Sequence, residues 1–379
     1  MKNNVYKLSL NLHKKNKGKL CVASKVPLNN KKDLSLAYTP GVAEACREIG
    51  KDKSKVFDYT PKGNMVAVVS DGSSILGLGN LGAHAAIPVM EGKAILFKKF
   101  ANIDAFPICL DTQDPKEIVN VIKKISPVFG AINLEDISAP RCFEIERELR
   151  AELDIPVMHD DQHGTAVVVL AGLINALKIK KQNKSEVKIV INGAGSAGLS
   201  ITDLLLKYGF KNIIVLDSKG PIYKGRNDLN PEKTKISLLT NKQNQQNGLA
   251  ECLAGADIFI GVSKPRVLTK IMVEAMNTKP IIFALANPEP EIMPDEAKSA
   301  GAFIVATGRS DFPNQINNAL AFPGIFRGAL DNKIKQFNDQ MFIKAAEMLA
   351  LATKNISKDK IIPDPFQKGL ALAVAKAIK

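Results

Sequence analysis

The segment that decides the fold is VKIVINGAGSAG, residues 187–198, in which a short apolar run leads directly into a glycine-rich turn. The apolar run predicts a β-strand, and residues 199–208 predict a helix after the turn. In such a unit the first glycine allows a tight turn, the second lets the backbone approach a pyrophosphate, and the third permits close helix packing. The segment therefore predicts a dinucleotide site formed by Gly193, Ala194, Gly195, Ser196, Ala197 and Gly198.

The next apolar run, NIIVLD, ends at Asp217, where a ribose-binding carboxylate is expected. Its charge favours NAD, because a carboxylate opposes the 2′-phosphate of NADP. Nearby side chains could nevertheless accommodate a phosphate, so the sequence leaves NAD or NADP open: these are Ser218, Lys219, Lys224 and Arg226.

The rest of the chain predicts an α/β protein. Five strand candidates in the C-terminal half suit a doubly wound parallel sheet: VKIVIN, NIIVLD, ADIFIGV, PIIFALAN and FIVATG. The runs MVAVVS, AFPICL and VFGAINL alternate with helical segments and predict an N-terminal α/β domain. We place the domain change near Gln162, giving an N-terminal domain of residues 1–162 and a dinucleotide-binding domain of residues 163–379 with C-terminal helices. The polar segment 219–248 predicts a mobile surface excursion.

Composition limits the classes of function. The 379 residues are 45% hydrophobic, which is enough for two cores. The net charge of +14 is spread along the chain without interleaved aromatic residues, so we expect no nucleic-acid partner. No run of about eighteen apolar residues predicts a membrane span. The N-terminus lacks a signal core, and the five cysteines lie far apart, so we expect a cytoplasmic protein.

Two acidic pairs each follow a strand candidate. Glu135 and Asp136 end the run FGAINL, and Asp160 and Asp161 follow IPVMH. Paired acids repel one another unless a cation or a proton intervenes. Oxygen ligands favour Mg²⁺ or Mn²⁺ over Zn²⁺, so these acids predict a hard metal site, with solvated loop acids as the alternative.

Two further patterns are interpreted as structural. A second glycine motif, GLGNLG at residues 77–82, lacks a following strand that ends in an acid, and it predicts a structural turn near a substrate pocket. His159 and His163 are four apart, as in helical zinc sites, but Pro156 and Gly164 argue against a helix there.

Several motifs together resemble the malic enzymes, in particular the small bacterial form. They occur in the family's order between Tyr38 and Leu330: YTPGV, GLGNLGAHAAIPVMEGKAILF, INLED, HDDQHGT, NGAGSAG, FALANP and ATGRSDFPNQINNALAFPGIFRGAL. The resemblance implies that the N-terminal domain holds substrate and metal. It also implies the metal-dependent oxidative decarboxylation of (S)-malate to pyruvate and CO₂, with reduction of NAD or NADP.

The resemblance also implies roles for single residues. Lys93 matches the family's general base, for which a lowered pKa is expected, and Tyr38 matches the general acid. The implied Mg²⁺ or Mn²⁺ polarises the C2 oxygen of the substrate. Its implied ligands are Glu135, Asp136 and Asp161, with Asp160 just outside them.

Asn287 and Asn318 match asparagines that contact the substrate, and Asn287 also matches a contact to the nicotinamide. One departure concerns Ser74, which stands where larger members carry a carboxylate-binding arginine, so the grip on the substrate carboxylate is unassigned. The resemblance implies a homodimer with malate and pyruvate as its small-molecule partners.

Two alternative functions share these motifs. A malolactic enzyme on the same fold would retain NAD and release lactate from malate. A non-catalytic module would bind the dinucleotide as a sensor, without dependence on a metal.

Overall fold

Two β-sheets organise the chain in a computed structural model that describes the backbone of residues 2–379 and the side chains from residue 5 onward. The first sheet contains β1 Met65–Ser70, β2 Asp104–Cys109, β3 Ala131–Leu134 and β4 Val157–His159. The second contains β5 Lys188–Asn192, β6 Asn212–Asp217, β7 Gly220–Pro221, β8 Ile258–Gly261, β9 Ile281–Ala284 and β10 Ile304–Thr307. Every strand pair is parallel except β6 with β7.

Helices surround both sheets. The N-terminal ones are α1 Lys2–Asn16, α2 Lys31–Ala37, α3 Val42–Lys51, α4 Val56–Tyr59, α5 Ala83–Ala101, α6 Pro115–Ile125, α7 Arg141–Glu152 and α8 Asp160–Lys180. They are followed by α9 Ser196–Tyr208, α10 Pro231–Ser237, α11 Leu249–Leu253, α12 Lys270–Glu274, α13 Pro294–Ser299, α14 Phe322–Asp331, α15 Asp339–Ala352 and α16 Leu370–Ala375. Short 3-10 helices are Lys53–Lys55, Pro61–Asn64, Ser126–Val128 and Asn318–Leu320.

The second sheet has the strand order β10-β9-β8-β5-β6-β7, so the chain reverses its direction of winding at β5. In open parallel sheets, ligands bind beyond the carboxyl ends of the strands at such a reversal. The glycine-rich turn follows β5 at this position. The predicted α/β fold with a doubly wound parallel sheet is confirmed.

The segment 219–248 differs from its predicted form as a mobile excursion. It contains the edge strand β7 and the helix α10. Ile222 and Ile236 are buried in the core of the second sheet, and Asn241 donates to the Ile222 carbonyl at 3.1 Å. Its few apolar residues suffice to anchor the segment, because each lies where the chain returns to the sheet edge.

The helix α8 connects the two sheets. It begins at Asp160, directly after β4, and continues through Gly164, so the predicted break at this glycine is wrong. A Cβ atom at Gly164 would lie 1.8 Å from Asp160 Oδ1, and glycine therefore permits a close approach here. The length and composition of α8 would suffice to cross a membrane, but most of the helix is buried inside the protein. The exact domain boundary stays a prediction.

The C-terminal helices return to the N-terminal half of the chain. α14 packs against both α5 and α16. The ring of Phe97 on α5 lies 4.6 Å from that of Phe322 and 5.2 Å from that of Phe326, both on α14. Buried aromatic pairs in such edge-to-face arrangements add to the area buried. The helix α5 therefore lies between the first sheet and α14.

The buried amide of Asn175 on α8 provides a test of this packing. Its Nδ2 donates to the carbonyls of Ala350 at 3.0 Å and Ile361 at 2.9 Å. We expect Asn175→Ala to lower the free energy of unfolding by about 2 to 4 kcal/mol, because it removes two buried hydrogen bonds. Urea denaturation measures the change. The exposed Lys178→Ala on the same helix is the control, and equal losses in both variants would contradict the prediction.

Candidate active site

Lys93 lies at the centre of a buried charged cluster. It is on the buried face of α5, and only 7% of its side chain is exposed. Its Nζ lies 2.5 Å from Asp160 Oδ2 and 2.8 Å from Glu135 Oε1. The ring of Phe322 covers the ammonium at 4.2 Å from its centroid. Three elements that are distant in sequence, α5, the end of β3 and the start of α8, therefore meet at one amine.

The surroundings of Lys93 control its protonation. Burial lowers the pKa of the ammonium, but the charges of Asp160 and Glu135 outweigh burial and raise the pKa above its ordinary value. The charges of this chain alone therefore hold the proton on Lys93, because two carboxylates contact the amine directly. The lowered pKa that a general base needs was expected from a neighbouring metal and stays a prediction. A divalent cation among the same carboxylates would shift the pKa in the opposite direction.

Three carboxylates form a compact group beside Lys93. One oxygen from each of Glu135, Asp136 and Asp161 lies within 4.8 Å of the others. The first two follow β3, and Asp161 is in the first turn of α8. The backbone N–H of Asp136 donates to Asp161 Oδ2 at 2.9 Å, and Asn133 Nδ2 donates to Glu135 Oε2 at 2.9 Å. The structure thus brings together the three acids that the sequence pattern proposed as ligands.

The three carboxylates fit a hard divalent cation. Burial, and then the charges of Asp161 and Glu135, raise the pKa of Asp136 to about 9. Asp136 Oδ2 is buried and has no hydrogen-bond partner in the described chain. A buried acceptor without a partner is costly, and a bound cation would satisfy it. Asp160 is outside the group, as expected, since its Oδ2 pairs with Lys93.

Three residues that the sequence reading missed support this cluster. Asn133, as described, orients Glu135, and Phe322 covers Lys93. Buried Glu146 on α7 accepts from the backbone N–H of His159 at 3.0 Å and lies 3.1 Å from His163 Nε2. A signal was present for two of them: Asn133 interrupts the apolar strand AINL, and Glu146 shares the buried face of α7 with Ile145 and Leu149.

The two histidines lie at different distances from the carboxylate group: His159 Nε2 is 3.9 Å from Asp161 Oδ2, whereas His163 contacts Glu146. His163 contacts Glu146 and stacks on Phe342, with ring centroids 4.7 Å apart. His159 is fully buried, and burial lowers its pKa. Neither belongs to the group of possible metal ligands found among the described residues. The contacts of His163 are those of a structural residue, whereas His159 lies directly behind a candidate ligand.

Tyr38 is not brought into the carboxylate cluster. Its side chain is 66% exposed at the C-terminal end of α2. Within the described chain no hydrogen bond joins it to Lys93 or to the acids. No residue of α2 or α3 is buried. The geometry of a single chain therefore does not supply the predicted general acid.

The remaining substrate candidates border the cluster to different extents. A Cβ built on Gly164 would lie 3.3 Å from the Cβ of Asn318, which places Asn318 beside the first turn of α8. Asn287 follows β9 and is exposed. The backbone N–H of Ser74 donates to the Asp136 carbonyl at 2.9 Å, but its side chain is exposed and carries no charge. These contacts do not identify a residue that binds the substrate carboxylate.

The glycine-rich turn after β5 has the form that a pyrophosphate requires. Gly193 has φ +122, and a Cβ there would lie 2.5 Å from the Val262 carbonyl. A Cβ at Gly198 would lie 1.7 Å from the Gly193 carbonyl, whereas Gly195 faces open space. Gly195 is the N-cap of α9 and has no side-chain cap. The free N–H groups of the first turn are therefore available to an anion.

Asp217 lies beside this turn but is already engaged. Its Oδ1 accepts from the Lys219 N–H at 3.0 Å and from Arg226 Nη2 at 2.8 Å. Its Oδ2 accepts from Arg226 Nη2 at 3.0 Å and from Lys233 Nζ at 2.6 Å. Burial raises the pKa of Asp217, but these hydrogen bonds outweigh burial and lower the pKa. The expected free ribose carboxylate is thus a neutralised one, and Lys233 is a cation that the sequence reading missed.

The fold and the site together define a class of protein: a dinucleotide-binding enzyme with a lysine beside a three-carboxylate metal candidate. A family model described as "Malic enzyme, NAD binding domain" matches residues 162–378, and one described as "Malic enzyme, N-terminal domain" matches residues 17–117. The chain is 56% identical over 98% of its length to the bifunctional malic/malolactic enzyme of Bacillus subtilis, of which it covers 91%. The chain belongs to the malic enzyme family.

Two other proteins extend these similarities. The chain is 49% identical over 95% of its length to an NADP-dependent malic enzyme of Rhizobium meliloti, of which it spans 50%. The crystal structure of an NAD-dependent malic enzyme from Thermotoga maritima matches with a TM-score of 0.94 and 48% identity, covering 98% of each chain. Relatives of this chain therefore include enzymes named for either dinucleotide.

Direct metal titration tests the carboxylate group. We expect Asp136→Asn to weaken Mn²⁺ binding about a hundredfold or more, because it removes a charged ligand from a buried site. Electron paramagnetic resonance of free Mn²⁺ measures the dissociation constant without any need for turnover. The exposed Asp154→Asn is the control and should bind as the unmodified protein does.

The pH dependence of the same titration provides a second readout. Since the pKa of Asp136 is raised to about 9, the carboxyl is protonated at neutral pH and a cation must displace its proton. We therefore expect Mn²⁺ affinity to increase by about tenfold per pH unit between pH 6 and 8. An affinity that is constant over this range would contradict the proposed ligand set.

Proposed function

We propose that this chain is a malic enzyme that converts (S)-malate into pyruvate and CO₂ and reduces NAD or NADP. The observation that carries the proposal is the contact of Lys93 with Asp160 and Glu135, beside the group of Glu135, Asp136 and Asp161. A proton-accepting pair and a candidate metal site are the two groups that oxidation followed by loss of CO₂ requires. Family membership gives the proposal independent support.

The residues of this chain can manage the proton of the substrate hydroxyl. Oxidation moves a hydride from C2 to the nicotinamide and releases the hydroxyl proton, which Lys93 accepts at Nζ. A protonated amine cannot accept it, so its own proton must first pass to a neighbour. Asp160 Oδ2 is the nearest acceptor, 2.5 Å from Nζ, but the charges of this chain alone hold the proton on the amine. A divalent cation held by the three carboxylates would lower the pKa of Lys93 by repulsion and favour the transfer to Asp160.

The loss of CO₂ from the resulting β-keto acid leaves an electron pair at C3, which a general acid must protonate. A divalent cation bound by the three carboxylates would supply Lewis acidity at the C2 oxygen for this step. Phe322 and the burial of Lys93 keep water from the amine, which strengthens its electrostatic interactions. The proposed general acid is Tyr38, and the proposed polar contacts to the substrate come from Asn287 and Asn318.

We propose that the site accepts both dinucleotides. Arg226 and Lys233 neutralise Asp217, so this carboxylate does not repel a 2′-phosphate as a free one would. Lys219 adds a mostly exposed cation at the same edge, paired with Asp228 at 2.7 Å. The names of the relatives, which include both NAD- and NADP-dependent enzymes, agree with such a site.

Steady-state assays test the proposed reaction. With (S)-malate, Mn²⁺ and either dinucleotide, we expect pyruvate and reduced dinucleotide in equal amounts. Lys93→Ala should lower kcat by about a thousandfold, within the range of general acid–base catalysis, while the fold is retained. The exposed Lys99→Ala on the same helix is the control.

Two outcomes would replace this proposal with a specific alternative. Release of lactate without net reduction of the dinucleotide would identify the malolactic reaction, which the name of the Bacillus subtilis relative also includes. Dinucleotide binding that needs no metal and leads to no turnover of malate would identify a sensing module. Discrimination of more than about a hundredfold between NAD and NADP would contradict the dual cofactor site.

We also propose that the chain functions as a homodimer in which each copy completes the site of the other. The apolar residues of the N-terminal helices are exposed, including Leu8, Leu12, Leu34, Leu36 and Val42. Exposed apolar residues on several helices are typical of an interface with another chain. Because Tyr38 lies on the same exposed surface, a second copy that covers it would bring this tyrosine toward a neighbouring site.

Mixing two inactive variants tests the shared site. We expect Lys93→Ala and Tyr38→Phe to be inactive alone and to recover about a quarter of the normal activity when they are unfolded and refolded together in equal amounts. Half of the random dimers then contain one intact site. Sedimentation verifies the dimer. No recovery in a mixture that does form dimers would show that Tyr38 acts within its own chain or not at all.

A further inference from the structure

The second glycine motif, which the proposed reaction does not use, forms part of an ordered loop. We call residues 72–82, between β1 and α5, the glycine loop. The carbonyl of Gly72 accepts from the N–H groups of both Leu81 and Gly82, at 3.2 and 3.1 Å, so the two ends of the loop are held together. Ile75 N–H donates to the Gly79 carbonyl at 3.0 Å within it. The loop is therefore held together by its own backbone hydrogen bonds.

One residue of the glycine loop contacts the second sheet. A Cβ built on Gly77 would lie 1.8 Å from the carbonyl oxygen of Asn287 and 3.4 Å from Pro288 Cδ. Asn287 follows β9, so this contact crosses the cleft between the two sheets. The φ angle of Gly77 is outside the left-handed region. Glycine is thus required at position 77 because the Asn287 backbone lies so close, and not because of the backbone conformation of Gly77 itself.

The other side of the glycine loop holds a candidate metal ligand. The N–H of Ser74 donates to the Asp136 carbonyl at 2.9 Å. The backbone N–H of Leu76 also donates to the Asp136 carboxylate, which lowers the pKa of that group against the larger effect of burial. Asp136 is therefore held by Ser74 and Leu76, two residues of the loop that lie shortly before Gly77.

The glycine loop also leads into the helix that carries Lys93. Gly82 is the N-cap of α5, with φ 80 and no side-chain cap. Lys93 follows on the buried face of this helix. A single short segment thus joins three groups: the backbone of Asn287, the carboxylate of Asp136 and the helix of Lys93.

We propose that Gly77 is a positioning residue that sets the distance at which the dinucleotide-binding sheet closes on the carboxylate cluster. This inference rests on the proposed malic enzyme function. The missing side chain lets the glycine loop reach the Asn287 backbone, so the position of the second sheet is transmitted to Asp136 and to α5. Hydride transfer requires that C2 of the substrate contacts the nicotinamide. A misplacement of 1 Å can lower the rate on the order of a hundredfold.

The variant Gly77→Ala tests the inference because it adds one methyl group at the contact. The separation between the added Cβ and the Asn287 carbonyl oxygen must widen from 1.8 Å to at least 3.0 Å, the lower limit for a real Cβ contact. We expect kcat with malate to fall on the order of a hundredfold. The dissociation constant for NAD should stay within about twofold, since the glycine-rich turn lies within one sheet. The melting temperature should fall as well, because the methyl group meets backbone that must shift.

Gly79→Ala is the matched control in the same loop. Its Cβ would meet nothing within 4 Å, but its φ of +85 strains any other residue. We therefore expect a lowered melting temperature here too, but with kcat retained, because no contact across the cleft is changed. This pair separates a cleft contact from a general disturbance of the loop, since a merely structural role would lower stability and activity together in both variants.

Three results would overturn the inference. The first is a Gly77→Ala variant with unchanged kcat, and the second is a parallel loss of kcat and melting temperature in both variants. The third is a crystal structure of Gly77→Ala in which the loop and Asn287 keep their separation. The proposed function and the role of Gly77 are tested separately. If the unmodified protein does not turn over malate, the proposed function fails. The crystal structure of Gly77→Ala still decides whether Gly77 sets the closure distance.

Discussion

The geometry of the carboxylate cluster depends on the ammonium of Lys93, which lies between Glu135 and Asp160. Four carboxylates meet in this buried region, and without a cation their mutual repulsion and desolvation would drive them to take up protons. Lys93 offsets part of that cost, although burying an amine is itself unfavourable. The raised pKa of Asp136 shows that the compensation is incomplete. The cluster therefore retains uncompensated negative charge, which a divalent cation would offset.

The fold assembles this cluster by converging three elements on one point. β3 and β4 are adjacent parallel strands, so the acids after their carboxyl ends lie side by side. α8 begins directly after β4 and then packs on α9, the helix that follows the glycine-rich turn. The candidate metal site and the dinucleotide site are thus joined by one buried helix. The return of α14 against α5 adds Phe322 over the amine, which closes the cluster from the C-terminal side.

Charge compensation also explains the surroundings of the dinucleotide turn. A sequence pattern treats Asp217 as a free carboxylate, but the four hydrogen bonds from Lys219, Arg226 and Lys233 occupy the acceptor positions that a carboxylate offers. Arg226 also donates to the carbonyls of Gly220 and Pro221, so it stabilises the edge strand β7 at the same time. The segment that looked like a polar excursion is therefore part of the sheet edge, because its charged residues have partners there.

The sequence by itself determined the parallel α/β fold, the turn at 193–198 and the membership of Glu135, Asp136 and Asp161 in one group. Each of these three features follows from local periodicity or from the order of motifs along the chain, and none of them has to be inferred from contacts between distant residues. Only the tertiary structure decided the rest. The pKa of Lys93 is set by Asp160, which is 67 residues away in the chain, the state of Asp217 by Lys233, and the need for Gly77 by the backbone of Asn287. Protonation and closeness depend on neighbours in space, which a linear pattern does not contain.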